Sequence, residues 1–420
     1  MEKSEMSSNS LDIYVGSRLT ATLKRDPARG DYTFSYLPGA TDPVSLTMPV
    51  CDTTDVFMSV PPVFETSLPE GELLETIFRK IGKVVKLSDD FDILGLVGRN
   101  LIGRLSVIHS GEDLSSRDSF TNSDRLERLL RSKNSKDLVT QAMTELAERT
   151  GVSGVLPKTF AISDGKVRLS IPTGDYILKS ESHEYPGICL VEHACMIACK
   201  NAGLVVPETI LSEDGRSLLV RRFDVSPDGS RYGFEDFCSL SFIGRKGKYD
   251  SSYEATAKIV TLFSTDIEKD MRTLFRSFVM MNLLQNGDAH LKNFGFLYSS
   301  SKDVRLSPVY DVVTTTSFIP KDLPALTFEG KRKWNTLKEI SRFGIDRCGL
   351  GEAETKLIIK ECVSGIGETI PFLKTLRDLH PIEPVRQTLS TFEDASNTNM
   401  GEIRKRTTVN NPALKGGSFP

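Results

Sequence analysis

The stretch "QNGDAHLKNFGFLY", residues 285–298, places an aspartate, a histidine, a lysine and an asparagine within six consecutive positions. The apolar residues before it recur with the spacing of an amphipathic helix, namely Met271, Leu274, Phe275, Phe278 and Val279. Asn286-Gly287 is a favourable place for that helix to end. The polar cluster is therefore predicted to lie on a loop that leaves a buried helix. Each of its residues, taken singly, is also compatible with a helix cap followed by a hydrophilic turn.

The spacing of the polar residues indicates a more specific chemistry. Four residues separate Asp288 from Asn293, and two short predicted strands then lead to Asp311. Phosphoryl transfer uses one carboxylate to accept the proton of the attacking hydroxyl, while an amide and a second carboxylate bind magnesium. Protein kinases have the same four-residue interval in their catalytic loop. The sequence therefore predicts a kinase catalytic loop.

A kinase also needs a lysine on a strand and a glutamate on the helix that follows, and both are present upstream. Residues 174–179, "GDYILK", form a predicted strand that ends in Lys179. Residues 188–202 are predicted to form a helix that is apolar on almost all sides and contains Glu192. A carboxylate in such surroundings needs a buried partner, and we expect Lys179 to provide it. The alternative is that Glu192 leaves the core at the edge of the helix.

The same helix carries several residue types that can bind metals. They are Cys189, His193, Cys195 and Cys199. Because their spacing matches no usual zinc site, we expect them to pack in the core.

Two further segments fit a nucleotide site. "TGVSGVLPKTFAI", residues 150–162, offers glycines, a serine and a lysine before a strand, and main-chain N–H groups of such a loop can bind phosphate oxygens. Any Gly-Ser turn between strands looks similar, so this loop gains weight only from its position. "SLLVRRFDV", residues 217–225, is predicted to be a strand at a hinge between two lobes, where residues 220–223 would meet an adenine.

The order of these motifs resembles the HipA family of bacterial serine/threonine kinases, the toxin halves of toxin–antitoxin pairs. The resemblance is carried by "GVSGVLPK", "DYILK", "VEHACMIACKNAGL", "LLVRRFD", "NGDAHLKNFGF" and "LSPVYDVV". "FSYLPG", "VSLTMPV" and "PVFETSLPEGELLETI" are similar to the small subdomain that precedes the kinase lobes in that family. The resemblance covers residues 11–385 and implies an α+β, two-lobed protein-kinase-like fold with a small β-rich N-terminal subdomain.

Four segments are expected along the chain. They are an N-terminal β-rich subdomain at 1–109, a kinase N-lobe at 110–225, a helical C-lobe at 226–388 and a polar, mobile tail at 389–420. Within them we expect a helix around Leu73, Ile77 and Ile81, and a Ser-rich connecting stretch with one short helix at 110–137.

The resemblance implies roles for individual residues. Asp288 is the expected catalytic base, and Asn293 and Asp311 are the expected Mg²⁺ ligands, with ATP as the nucleotide. The other residues expected at the ATP site are Val152, Ser153, Gly154, Val155, Lys158, Lys179, Glu192, Arg221, Phe223, His290 and Lys292. Ser153 is also the expected autophosphorylation site, although it is equally compatible with a plain turn residue, because Gly151 stands where the family often has a serine. The hinge reads Arg-Arg-Phe-Asp where many members have Glu-Arg-Phe-Asp.

The resemblance also implies partners. The expected substrate is an aminoacyl-tRNA synthetase or another translation component, and the expected outcome is growth arrest. A helix-turn-helix antitoxin would neutralise the kinase and carry most of the DNA binding. One alternative is a catalytically silent kinase-like scaffold for a DNA-binding partner. Another is a metallophosphoesterase that uses "GDAH" at 287–290, although such enzymes need further ligands downstream and the only later histidine is His380.

The composition of the chain is that of an ordinary globular protein. Its 420 residues are 39% hydrophobic and 26% charged, which is enough for two or three domains. The net charge of -3 argues against a nucleic-acid-binding surface over the whole molecule. Seven irregularly spaced cysteines fit a reduced compartment. Because there is no long apolar run and "MEKSEMSSNS" is too polar for a signal peptide, we expect a cytoplasmic protein with no membrane partner.

Overall fold

The computed structural model describes five segments of the chain, residues 9–68, 89–114, 128–135, 169–172 and 175–398. The helix predicted around Leu73, Ile77 and Ile81 and the loop predicted at 150–162 lie outside these residues. Of the connecting stretch at 110–137, residues 110–114 and 128–135 are described, and residues 128–130 are helical.

The N-terminal subdomain is built on a five-stranded antiparallel sheet in the order β4-β3-β2-β1-β5. Its strands are β1 (Ser10–Val15), β2 (Arg18–Asp26), β3 (Asp31–Tyr36), β4 (Asp55–Phe57) and β5 (Leu105–His109). Alternate residues point inward, so that Leu11 and Ile13 of β1 are fully buried. Two helices, α1 (Pro62–Glu65) and α2 (Asp90–Val97), complete this small core. The expected β-rich unit is confirmed.

The described residues of the expected N-lobe form a four-stranded sheet in the order β6-β7-β9-β8 and include one long helix. The elements are β6 (Leu169–Pro172), β7 (Tyr176–Ser180), α3 (Ile188–Asn201), β8 (Thr209–Leu211) and β9 (Ser217–Arg221). The predicted strand before Lys179 and the predicted helix around Glu192 are both present. The hinge strand, however, ends at Arg221 and not at residue 225, because Arg222 and the residues after it turn toward the N-terminal subdomain.

The C-lobe is mainly helical but also carries a three-stranded sheet in the order β10-β11-β12. Its elements are β10 (Gly233–Asp236), α4 (Phe237–Leu240), α5 (Tyr253–Phe263), α6 (Ile267–Leu283), β11 (Gly295–Ser300), β12 (Asp303–Leu306), α7 (Leu337–Arg342), α8 (Glu352–Leu379) and α9 (Glu383–Ser396). The predicted β-hairpin after Asn293 is confirmed. Strand β10 was not expected in this helical region, and it pairs with β11 far along the chain, with Asp236 opposite Gly295.

One continuous hydrophobic core serves both kinase lobes. Helix α3 of the N-lobe packs along α8 of the C-lobe. The two helices cross closely at Gly365, where a Cβ atom would lie 2.4 Å from the main-chain nitrogen of Ala202. The residue must therefore be glycine for the helices to approach this far. The core fixes the N-lobe helix, and with it Glu192, against the C-lobe.

The prediction of a mobile tail from residue 389 onward is wrong for residues 389–396. Helix α9 runs from Glu383 to Ser396 and continues across that boundary. Leu389, Phe392 and Ala395 are buried and belong to the main core. The segment is polar overall, but its few apolar residues share one face of the helix, so it can pack. None of the helices in the described segments combines the length and the apolar character that a membrane span requires.

The N-terminal subdomain docks on the C-lobe through buried polar contacts. Glu235 on β10 accepts hydrogen bonds from the Ser45 hydroxyl at 2.6 Å and from the Leu46 main-chain N–H at 2.9 Å. The Glu65 carboxylate accepts from the main-chain N–H of Arg245 at 2.7 Å. Burial raises the pKa of Glu235 to about 7, against the three hydrogen bonds that favour its charged form. A titratable carboxyl therefore lies within the interface between the two regions.

Candidate active site

The loop after α6 is held in place by its own polar residues. Gln285 takes a left-handed conformation with φ 54°, which turns the chain away from the helix. The side-chain oxygen of Asn286 accepts the main-chain N–H of Asp288 at 3.1 Å. A Cβ atom on Gly287 would lie 2.0 Å from Oδ2 of Asp322, so only glycine fits there. The main-chain N–H of Gly287 also donates to Thr315 Oγ1 at 2.7 Å. The Asp288 side chain consequently projects from a backbone that these contacts hold in place.

Asp288 and Asn293 are brought together as the spacing predicted. A single turn of 3₁₀ helix at Leu291–Asn293 returns the chain, and Nδ2 of Asn293 donates to the main-chain oxygen of Asp288 at 2.8 Å. Because the amide nitrogen is used in this bond, the amide oxygen of Asn293 is at the opposite end of the group. This orientation suits a metal ligand, since an amide binds a cation through its oxygen.

The Asp288 carboxylate lies in a small, mostly buried pocket and is 15% exposed. The Tyr249 hydroxyl donates to its Oδ1 at 2.8 Å, and Nε2 of His290 lies 3.9 Å from the same oxygen. The Tyr249 ring packs edge-on against the His290 ring with a centroid distance of 5.1 Å. Burial raises the pKa of Asp288 to about 8, the Tyr249 hydrogen bond opposes this shift, and the charge of Asp311 adds to it. When ionised, such a carboxylate is a stronger proton acceptor than an ordinary aspartate.

Lys179 stands between two carboxylates. Its Nζ lies 2.7 Å from Oε1 of Glu192 and 2.6 Å from Oδ1 of Asp311. The expected pairing with Glu192 is confirmed, and the alternative in which Glu192 leaves the core is excluded because that residue is only 1% exposed. Asp311 has a left-handed backbone with φ 57°, which is uncommon for a residue with a side chain and recurs at functional sites.

The donor atoms of Asn293 and Asp311 fit magnesium better than zinc. Asn293 and Asp311 provide amide and carboxylate oxygens, and Mg²⁺ typically takes one or two such protein ligands and shares the remainder with water and phosphates. Among the residues that the structure describes, no three His, Cys, Asp or Glu side chains are grouped so that they could hold a metal ion by themselves. Cys189, Cys195 and Cys199 are fully buried in the core, and burial raises the pKa of the Cys195 thiol to about 12.

The hinge places Phe223 against the catalytic region. Its ring packs on Tyr310, the residue before Asp311, with a centroid distance of 5.3 Å, and on Phe234 at 5.6 Å. Within the described part of the chain, neither the main-chain N–H nor the main-chain oxygen of Phe223 makes a hydrogen bond. Both groups are therefore available to a nucleobase. The Arg221 side chain is 59% exposed and lies 3.6 Å from Glu208. A cleft of about 260 Å³ runs along this segment, lined by Pro207, Glu208, Arg221, Arg222, Phe223, Val225 and Pro227.

Lys292 connects the catalytic loop to its surroundings in two directions. Its main-chain oxygen accepts the Tyr310 hydroxyl at 2.6 Å, which ties the loop to the residue before Asp311. Burial raises the pKa of Asp236 to about 6, and the positive charge of the Lys292 ammonium is the largest of the influences that lower it. The structure therefore brings Lys292 to the site through its backbone. Five predicted nucleotide-binding residues lie outside the described residues, namely Val152, Ser153, Gly154, Val155 and Lys158.

Several residues that shape the site were not singled out in the sequence. Tyr249 binds Asp288, Asp322 packs on Gly287, and Arg222 lies within the hinge as a fully buried cation. Tyr249 follows "GRKGK" in a loop with no motif of its own, so nothing local connected it to Asp288. The sequence identified Arg222 as part of the hinge motif, but it did not indicate that the side chain binds the N-terminal subdomain.

The fold with this site defines a protein-kinase-like molecule with a β-rich N-terminal region. Its likeness extends to a HipA chain from the Shewanella oneidensis MR-1 toxin–antitoxin complex of HipA, HipB and operator DNA. That chain superposes with a TM-score of 0.70 at 16% identity, covering 94% of this chain and 98% of the other. At this identity the match shows the fold alone.

Comparison of sequences establishes the family. A model for the HipA-like C-terminal domain matches residues 150–370, and a model for the HipA N-terminal domain matches residues 11–108. The protein named "Putative kinase Y4dM" from Sinorhizobium fredii is 30% identical over 308 residues, which are 67% of this chain and 69% of that protein. A Haemophilus influenzae protein with a similar name is 31% identical over 182 residues, 40% of this chain and 53% of that protein. The chain belongs to the HipA family.

Proposed function

We propose that this chain is a HipA-type serine/threonine protein kinase that transfers the γ-phosphoryl group of ATP to a protein hydroxyl. The observation that carries the proposal is that three elements meet in space, because the Tyr310 hydroxyl binds the catalytic loop at Lys292 and Lys179 binds both Asp311 and Glu192. The loop with Asp288 and Asn293, the strained Asp311, and the buried Lys179–Glu192 pair come from distant parts of the chain. Kinases require these parts together, and few other chemistries do.

Each residue has a role that follows from its surroundings. Asp288 orients the acceptor hydroxyl and takes its proton as the phosphoryl group is transferred, aided by a burial that raises its proton affinity. Lys179, positioned by Glu192, binds phosphate oxygens of the nucleotide when it exchanges its contact with Asp311. Phe223 meets the adenine through its main chain and ring. Mg²⁺, held by Asn293 and Asp311, would neutralise the charge on the phosphates.

The family and the structural neighbour support the proposed biology. The neighbour's HipA is found with HipB and operator DNA, and we infer an equivalent helix-turn-helix antitoxin that provides most of the DNA binding here. The proposed substrate is an aminoacyl-tRNA synthetase or another translation component, whose phosphorylation arrests growth. Ser153 stays a proposed autophosphorylation site.

The experiment that tests the activity compares the parent chain with Asp288→Ala. Each protein is incubated with labelled ATP, Mg²⁺ and a bacterial lysate, and labelled proteins are identified by mass spectrometry. The variant should lose on the order of 10² or more in rate, because positioning and proton acceptance both disappear. Asp303→Ala, an exposed aspartate on the neighbouring hairpin, is the matched control and should retain activity.

Two outcomes would reject the proposal. If the parent binds Mg²⁺-ATP but labels nothing, and if parent and Asp288→Ala arrest growth equally without an antitoxin, a catalytically silent scaffold is indicated. If the parent hydrolyses a phosphoester without ATP, the metallophosphoesterase alternative is correct. That alternative lacks support within the described residues, because no group of three candidate ligands accompanies Asp288 and His290.

A further inference from the structure

Two charged residues of the hinge, Arg222 and Asp224, are buried against the N-terminal subdomain. Arg222 and Asp224 flank Phe223, and their side chains are 0% and 1% exposed. Nε of Arg222 donates to Oδ1 of Asp224 at 3.0 Å, and Nη2 lies 2.5 Å from Oδ2, so the pair is bidentate. Charges buried to this degree require further hydrogen bonds to be stable.

Those hydrogen bonds come from a loop of the N-terminal subdomain. Nη1 of Arg222 donates to Oδ1 of Asn100 at 3.1 Å, and Nη2 donates to the main-chain oxygen of Leu101 at 3.0 Å. The main-chain N–H of Gly103 donates to Oδ2 of Asp224 at 2.7 Å. Arg231 binds the same Asn100 oxygen at 3.0 Å. Asn100 therefore binds both the hinge, through Arg222, and the segment that follows the hinge, through Arg231.

The loop also contacts the residues that support Phe223. A Cβ atom on Gly103, whose φ is +90°, would lie 3.0 Å from the main-chain nitrogen of Phe234. Phe234 in turn packs on Phe223 and on Tyr310. Contacts thus run from the N-terminal subdomain through the hinge to the residue beside Asp311. Moving the loop would move the backbone of Phe223.

From this geometry we propose that the N-terminal subdomain is part of the nucleotide site. The loop at 100–103 clamps Arg222 and Asp224 so that the backbone between them is fixed in the orientation an adenine requires. Asn100 is thus a positioning residue for ATP, although it never touches the nucleotide. The inference rests on the proposed function, since it assumes that Phe223 meets the adenine.

The physical basis is preorganisation. A hinge that must be ordered when the ligand arrives costs conformational entropy for each residue fixed, and this cost subtracts from the free energy of binding. A hinge already fixed by the N-terminal subdomain avoids it. By reciprocity, a ligand that binds better when the clamp is closed also favours the closed clamp. Anything that binds the N-terminal subdomain and shifts the loop would change the affinity for ATP.

The chain offers a matched control at the other docking contact. Ser45 also belongs to the N-terminal subdomain, and its hydroxyl binds Glu235 at 2.6 Å. Ser45→Ala removes a buried interdomain hydrogen bond, as Asn100→Ala does, but Glu235 lies on β10 and not on the hinge. Asn100→Asp provides a rescue, because it keeps an oxygen acceptor facing the two arginines.

The experiment measures the Kd of Mg²⁺-ATP by calorimetry, kcat and KM for ATP in the lysate assay, and Tm for the four proteins. Asn100→Ala should raise Kd and KM about three- to tenfold, which is the effect of losing about one ordinary hydrogen bond. Its kcat at saturating ATP should stay within about twofold, since the reacting groups keep their places. Asn100→Asp should bind ATP like the parent, and Ser45→Ala should lower Tm without changing Kd.

Three results would overturn the inference while the parent still binds ATP. Parent-like ATP binding by Asn100→Ala would show that the clamp does not act on the site. Equally weakened ATP binding in Ser45→Ala would indicate a general effect of docking. Failure of Asn100→Asp to restore affinity would assign the loss to something other than the acceptor oxygen. A parent chain that binds no ATP would instead reject the proposed function itself.

Discussion

The catalytic cleft and the junction with the N-terminal subdomain both pair acids with bases, but they expose these pairs differently. In the cleft, Asp311 is 33% exposed and holds Lys179 through one oxygen. In the junction, Arg222 and Asp224 are at most 1% exposed and are surrounded by hydrogen-bond partners from the other subdomain. The cleft keeps charge accessible to a ligand, whereas the junction closes it off. Changes in the cleft should therefore act directly on ligand binding and catalysis, and changes in the junction should act mainly on stability and, through the hinge, on ATP affinity.

The largest effect on stability should come from Arg222→Ala. Removing one partner of a buried ion pair leaves the other charge uncompensated, and this typically costs about 3–5 kcal/mol. The free energy of unfolding from urea titration should fall by that amount. Arg221→Ala is the adjacent control, because its contact with Glu208 is exposed at both ends and should contribute less than about 1 kcal/mol. Equal losses in the two variants would contradict the contrast between a buried junction and an exposed surface.

Glu235 provides a pH test of the same junction. Burial raises its folded-state pKa to about 7 from the usual 4.5, so the folded protein keeps a proton that the unfolded chain has released. The stabilisation is fully present below about pH 4.5 and is lost as pH rises toward 7, at most about 3 kcal/mol for this shift. Glu235→Gln cannot titrate, so the difference between parent and variant stability should shrink or reverse across this range. A difference that is constant from pH 4.5 to pH 8 would contradict the prediction.

The catalytic cleft could be predicted from the sequence, whereas the junction could not. The reason is that the cleft residues share local motifs, while the junction joins residues that are far apart along the chain. Asp288 and Asn293 lie on one loop, and phosphoryl transfer fixes their spacing, so the pattern indicates the chemistry directly. Glu192 was identifiable because a carboxylate in an apolar helix needs a partner. By contrast, Ser45 and Glu235 are separated by 190 residues and Asn100 and Arg222 by 122. No local pattern records such contacts.

Two predictions about the fold failed for different reasons, the tail after residue 389 and the absence of a strand at 233–236. The segment after residue 389 was expected to be a tail because of its polar composition, yet Val385, Leu389 and Phe392 follow the spacing of a helix face that the core buries. Periodicity would have found it. Strand β10 is only four residues long, and it is stabilised by pairing with the hairpin after the catalytic loop, which short-range signals do not show.

In the cleft, Asp311→Asn should change ligand binding more than stability. The variant keeps the size of the side chain but removes the charge that Mg²⁺ and Lys179 share. ATP affinity measured with Mg²⁺ should fall roughly tenfold or more, the loss of one charge-assisted contact. Without Mg²⁺ the affinity should not fall and should rise slightly, because one fewer negative charge then faces the phosphates. Asp303→Asn on the exposed hairpin is the control, and equal Mg²⁺-ATP affinity in Asp311→Asn would remove the metal role from this residue.

The smallest effect is expected from Tyr249→Phe, and it separates holding the base from building the pocket. The hydroxyl of Tyr249 donates to Asp288 at 2.8 Å, while its ring packs on His290. Phenylalanine keeps the ring and removes only the hydrogen bond, which is worth about 1 kcal/mol and hence roughly fivefold. Because Asp288 acts on the acceptor, kcat for protein phosphorylation should fall by about that factor while the Kd of Mg²⁺-ATP stays within twofold. Tyr232→Phe, on an exposed tyrosine, is the control and should change neither. If Tyr249→Phe instead weakened ATP binding and left kcat intact, the tyrosine would belong to the nucleotide side of the cleft, and Asp288 would be held by its backbone alone.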